Sequence, residues 1–137
     1  MAKKVFLGGT CNGSLWREKL IPELKIDYFN PVVDKWSDAT YEKELQERKD
    51  CDYCLYVITP KATGFYSIAE IADDSNKRPD KTIYCILEND DESGFTAHQL
   101  KSLKKVGQMV RNNGGTWCEN FDQLAALLNR NTLEVPA

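Results

Sequence analysis

Residues 54–58 (CLYVI) and 82–87 (TIYCIL) run apolar without the polar alternation of a strand that is wet on one side. Such runs belong to strands covered on both faces, and two-sided cover is the habit of parallel sheets whose crossovers are helices. The first run sits in the most apolar segment of the chain, 51–59, which ends at Pro60; it reads as the central strand.

The flanking sequence supplies the rest of the alternation. Residues 4–7 form a short apolar strand ending in Gly8-Gly9, and Ser14 stands where it would cap a helix over 15–20. A second strand over 26–29 stops at Asn30-Pro31, because the residue before proline is pushed out of the helical region. A loop over 30–37 leads to a charge-rich helix over 40–49. Helices over 66–76 and 96–112 carry apolar residues at helical spacing, the second through Leu100, Leu103, Val106 and Val110. Asn113-Gly114-Gly115 ends that helix, 116–118 is a fifth strand, and Phe121, Leu124, Leu127 and Leu128 mark a last helix. The expectation is one α/β domain over 1–131 with a tail at 132–137, built as a flavodoxin-like, doubly wound, five-stranded parallel sheet of order 2-1-3-4-5. In that order the winding reverses between strands one and three, so a crevice opens beyond their carboxyl ends, lined by 8–14 and 59–67.

Composition removes several function classes. Eighteen Lys and Arg against 21 Asp and Glu leave a net charge of −3, which does not suit a groove for nucleic-acid phosphates. No apolar stretch approaches the ~20 residues of a membrane helix, and Ala2-Lys3-Lys4 passes into a strand without a cleavage signature, so the expected place is the cytoplasm, without a membrane partner. The five cysteines are an odd number, and Cys54 and Cys85 fall in core strands, so they read as packing thiols. Cys51 and Cys54 make the one C-x-x-C; it lacks a second ligand pair, and an offset of three on a strand sends the sulfurs to opposite faces, so no metal is expected. His98 reads as a surface or helix-start residue, and no cofactor is implied.

Two loops carry the candidate chemistry. Gly8-Gly9-Thr10-Cys11-Asn12-Gly13-Ser14 allows close backbone approach, which suits either a phosphate or sugar hydroxyl, or simply a tight turn that packs the first helix on the sheet. It is neither a G-x-G-x-x-G nor a nucleoside triphosphate loop. Gly64 to Glu70 begins a helix at the crevice, with Glu70 about one turn after Tyr66 and Ser67. Its carboxylate is either a nucleophile for an anomeric carbon or an acid complementing the helix N-terminus. Trp36 either stacks on a base or caps the core.

Phe6-Leu7-Gly8-Gly9-Thr10, Asn30-Pro31-Val32-Val33, residues 51–60 and Gly64-Phe65-Tyr66-Ser67-Ile68-Ala69-Glu70 together resemble the nucleoside 2-deoxyribosyltransferase superfamily, above all its small nucleoside 2-deoxyribosyltransferase-like branch. The resemblance implies an oligomeric domain that cleaves or exchanges the N-glycosidic bond of a nucleoside or its 5′-monophosphate through a covalent glycosyl-glutamate. It makes Glu70 the nucleophile. Glu44, eight positions before Asp52, becomes the acid that assists the leaving base, or else an exposed helix charge. By the same likeness Gly8, Gly9, Thr10, Asn12, Gly13 and Ser14 would hold the phosphate or ribose, and Gly64, Tyr66 and Ser67 would line the pocket, with Trp36 read as its stacking residue. Two positions depart from the family pattern: its strand-one tyrosine is Phe6, and the acid often found before the glycine is Thr63, so a hydroxyl would have to come from Tyr66 or Ser67. These departures keep open a second class, a nucleotide-binding module that does not cleave.

Overall fold

A computed structural model describes residues 3–11 and 13–133. Its elements run β1 (Lys4–Gly9), α1 (Trp16–Leu20), β2 (Asp27–Phe29), α2 (Asp38–Asp50), β3 (Tyr53–Ile58), α3 (Tyr66–Lys77), β4 (Thr82–Ile86), β5 (Asn89–Asp90), β6 (Ser93–Gly94), α4 (Ala97–Asn112), β7 (Thr116–Cys118) and α5 (Phe121–Leu133). Short 3-10 turns at Ile21–Glu23 and Pro79–Lys81 each begin around a proline. The main sheet is parallel throughout, in the order β2-β1-β3-β4-β7. This is the expected flavodoxin-like winding, the fifth sheet strand being β7 because a small hairpin, β5-β6, intervenes outside the sheet.

Strand alternation divides the core into two layers. Val5, Leu7, Leu55, Val57, Ile83 and Cys85 face Trp16 and Leu20 of α1 and Leu124 and Leu128 of α5. Phe6, Cys54, Tyr56, Ile58, Tyr84 and Ile86 face the other way, toward Ile71 of α3 and Val110 of α4. Both faces of β1, β3 and β4 are therefore dry, which is what their unbroken apolar runs require.

Three local readings change. Ser14 does not cap α1: the N-cap position is Leu15, without a side-chain bond, and the Ser14 hydroxyl instead donates to Asp90 of β5. Cys51 lies at the C-cap of α2 rather than on a strand, so its sulfur packs in the same layer as Cys54 instead of opposite it. The α5 helix runs to Leu133, taking in residues 132 and 133 of the expected tail, while 134–137 lie outside the described residues. The hairpin at 89–94 is the one element that sequence reading misses, because its residues are those of an ordinary polar loop.

The first glycines of the β1 loop answer to packing. A Cβ on Gly8 would stand 2.6 Å from the Tyr56 ring. Gly9 has φ +117°, and a Cβ there would meet the Val57 carbonyl oxygen at 2.0 Å. Gly64, by contrast, opens onto space and has no such backbone demand. Gly9→Ala is accordingly expected to lose about 3 kcal/mol or more in urea unfolding, with Gly64→Ala within roughly 0.5 kcal/mol of the parent.

Candidate active site

A cavity of about 830 Å³ opens where the winding reverses, beyond the carboxyl ends of β1 and β3. Its wall includes Gly8, Gly9, Thr10 and Gly13 from the first loop, Gly64, Tyr66, Ser67 and Glu70 from the second, and Trp36 and Glu44 from the α2 side. The chain thus brings together ten of the sequence-derived residues. Ser14 is not in the wall; it is buried on Asp90. Asn12 lies outside the described residues.

The first loop is held from both sides. Arg17, only 3% exposed, donates from Nε to the Leu7 carbonyl at 3.0 Å and from Nη1 to the Thr10 carbonyl at 2.7 Å, drawing the end of β1 around its guanidinium. Among the described residues no carboxylate lies within ion-pair distance of it; burial lowers its proton affinity, and Cys11, Glu18 and Glu44 offset that in part. The Thr10 hydroxyl accepts from the Thr59 amide at 2.9 Å, joining the two loops. On the outer side Asp90 receives Ser14 and Thr59; burial opposes its charge, but these bonds and the Lys61 ammonium outweigh it and hold its carboxyl below the usual range.

Glu70 sits in the second turn of α3, past the reach of the helix N-terminal charge, and is 6% exposed. The reading of it as a helix-end acid therefore loses its geometry. The charged group in ion-pair contact with it is Arg48 on α2, whose Nη1 is 3.7 Å from Oε2, too long for a hydrogen bond. The remaining edge of that guanidinium clasps Asp74, Nε to Oδ2 at 3.2 Å and Nη2 to Oδ1 at 3.0 Å, while Nη2 also reaches Asp73 at 3.0 Å. Asp74 is fully buried and also receives Tyr56 and Arg78. Burial disfavours the Arg48 charge, yet its bonds to Asp74 prevail and push its proton affinity up.

Above this cluster lies an aromatic arc. Trp36, 61% exposed, packs its ring 5.2 Å from Tyr41, and the Tyr41 and Tyr66 hydroxyls are 3.1 Å apart. That bond, with some burial, pushes the Tyr66 phenol up to about 12. Glu44 is half-buried; burial raises its carboxyl above the usual range, moderated by a hydrogen bond from the Trp36 indole and by Arg48 and Arg17. Sequence reasoning missed Arg48 and Asp74. The available signal was spacing: Arg48 follows Glu44 by four, and Asp74 follows Glu70 by four, one turn along the same helix faces.

Burial raises the Glu70 carboxyl to about 7; Arg48 opposes the shift, and Glu44, Asp74 and Asp73 add to it. The folded protein therefore binds more protons than the unfolded chain between the ordinary glutamate value and about 7, so Glu70 ionisation removes stability as the pH climbs through that window. Glu70→Gln, which keeps the shape without the charge, is expected to gain on the wild type by up to about 3 kcal/mol between pH 4 and pH 8 in urea unfolding curves.

No curated protein and no solved structure gives a significant match to the chain. The family model described as "Nucleoside 2-deoxyribosyltransferase like" matches residues 2–89, a span that holds β1 through β4 and every residue of the cavity wall. With more than half its length so matched, the chain belongs to the nucleoside 2-deoxyribosyltransferase-like family.

Proposed function

We infer that this protein cleaves or exchanges the N-glycosidic bond of a nucleoside or nucleoside 5′-monophosphate, with Glu70 as the nucleophile. The observation that carries this reading is a glutamate that is almost wholly buried yet forms part of the wall of an open cavity of about 830 Å³, with room for a nucleotide. A Glu70 oxygen attacks the anomeric carbon as the bond to the base nitrogen breaks, and the electron pair leaves with the base, which takes a proton. Water or a second base then attacks the same carbon and releases the carboxylate, so configuration is retained. Glu44, whose carboxyl burial raises above the usual range and which lies in the cavity wall on α2, is the group suited to protonate the departing base. The aromatic arc of Trp36, Tyr41 and Tyr66 gives that base a stacking surface.

The Arg17 guanidinium in the loop wall, which has no carboxylate in ion-pair contact among the described residues, favours a 5′-phosphorylated substrate over a free nucleoside. Exposed Val32, Val33 and Trp36 of the cavity wall support assembly of several copies over this face. Five free thiols, four of them buried, fit a reducing compartment such as the cytoplasm. Among the described residues no helix is long and apolar enough to cross a membrane. Phe6, which lines the cavity without a hydroxyl, is the observation that favours the second reading, a nucleotide-binding module using the same crevice.

Chromatography of free base after incubation with nucleosides and their monophosphates separates the two readings. The enzyme reading expects base release that rises with pH through an apparent pKa of about 7, the acid limb of an ionising Glu70. Glu70→Gln should lower the rate by more than about 10³-fold, and nucleotide-induced thermal stabilisation without base release in the wild type would leave only the binding module. Glu44→Gln should lower it by about 10²-fold for ordinary bases, and by much less where the leaving group is already electron-poor.

A further inference from the structure

Arg48 makes four polar contacts, and they are divided by direction. The Nε and Nη2 edge of the guanidinium lies along Asp74, and Nη2 also reaches Asp73, so that edge is saturated by acids of α3. Nη1 is turned the other way, to Glu70 Oε2 at 3.7 Å. A two-point clasp between a planar fork and a carboxylate fixes the plane as well as the position of the guanidinium, which a lysine ammonium does not do. Asp74 is itself immobilised by the Tyr56 hydroxyl from β3 and by Arg78 one turn along α3. The direction of Nη1 is therefore set by the core, and it points at the one carboxylate of the cluster that borders the cavity.

The groups facing Glu70 come from three elements: Arg48 and Glu44 on α2, Asp73, Asp74 and Tyr66 on α3, and Tyr56 on β3. Arg17 on α1 acts on Glu44 rather than on Glu70. Of these, Arg48 alone is positive, and Phe6 offers the cavity no hydroxyl. Building on Glu70 as the nucleophile, we propose that Arg48, clasped edge-on by Asp74, is a positioning residue that orients the Glu70 carboxylate toward the cavity. The free oxygen, Oε1, is then the one presented to the anomeric carbon, while Oε2 faces the guanidinium.

This coupling has a signature in the full-length wild-type protein that needs no substrate. The Arg48 side-chain nitrogen resonances should shift with pH at the midpoint where the carboxyl carbon of Glu70 titrates, and should lose that inflection in Glu70→Gln. Arg48→Lys, which keeps the charge but not the clasp, should lower base release on the high-pH plateau by tenfold or more while moving the Glu70 midpoint by less than half a unit and leaving KM within a few-fold. Should Arg48→Lys fail to fold, the wild-type and Glu70→Gln titrations decide alone. Arg48 resonances that ignore the Glu70 midpoint, or a folded Arg48→Lys with the full plateau rate, overturn the proposal even where the wild type releases base. Coupled titration in a wild type that releases no base overturns instead the glycosidic reading on which the orienting role rests.

Discussion

The clasp between Arg48 and Asp74 is the interaction on which the site geometry depends. The α2 helix has almost no apolar face; its buried residues are Glu47 and Arg48. It is therefore not seated by hydrophobic burial in the way of α3 or α4, but by ionic contacts, chief among them Glu47 to Lys4 of β1 and Arg48 to Asp74 of α3. The first ties it to the start of β1. The second sets its rotation, and so decides that Glu44, one turn earlier, looks into the cavity. Loss of either Arg48 or Asp74 would strand an uncompensated buried charge, an error far larger than the net worth of the pair.

Burying charge in this way gives little stability compared with an apolar contact of the same size, but it gives directionality. An apolar α2 could slide or turn by part of a step and keep most of its burial. A two-point clasp tolerates neither. The same logic holds at the other wall, where Arg17 gathers the Leu7 and Thr10 carbonyls and Asp90 of the β5-β6 hairpin receives Ser14. Both loops that meet at the winding reversal are thus braced by charged groups behind them, and the glycines between them serve packing as much as any ligand: Gly8 and Gly9 have no room for a Cβ.

What could be read in the sequence followed from periodicity and from breakers. Unbroken runs such as 54–58 demand two-sided burial, which points to a parallel sheet, and five alternating strands in a chain of this length point to the flavodoxin-like order; the order in turn placed the crevice and named its two loops. The α2 and α3 charges were opaque for a physical reason. An arginine in a charge-rich helix looks solvated until a partner on another helix removes it from water, and Asp74 lies 26 positions away. Ser14 fails as a cap because the helix begins one residue later, with Leu15 at the N-cap, and its hydroxyl is drawn to Asp90, 76 positions on. Local rules read local competition correctly and cannot see a distant competitor.

The Glu70 environment shows how these constraints meet in the chemistry. In the proposed role as nucleophile Glu70 has to be ionised when it attacks, yet burial and the acids Glu44, Asp73 and Asp74 all favour its proton, leaving its pKa at about 7. One guanidinium opposes them, and most of its hydrogen-bonding edge is already taken by Asp74 and Asp73. A carboxylate more strongly paired would ionise sooner but attack more weakly, because the electron density it needs would be drawn into the ion pair. A carboxylate left without any cation would stay protonated at neutral pH. The 3.7 Å separation from Arg48 lies between these limits: near enough to favour the anion, too long to bind it as a hydrogen bond. In the proposed reaction, an anomeric carbon acquiring positive charge in front of Glu70 would take over from Arg48 as the nearest partner, so the attraction would grow along the reaction coordinate instead of being present in full at its start.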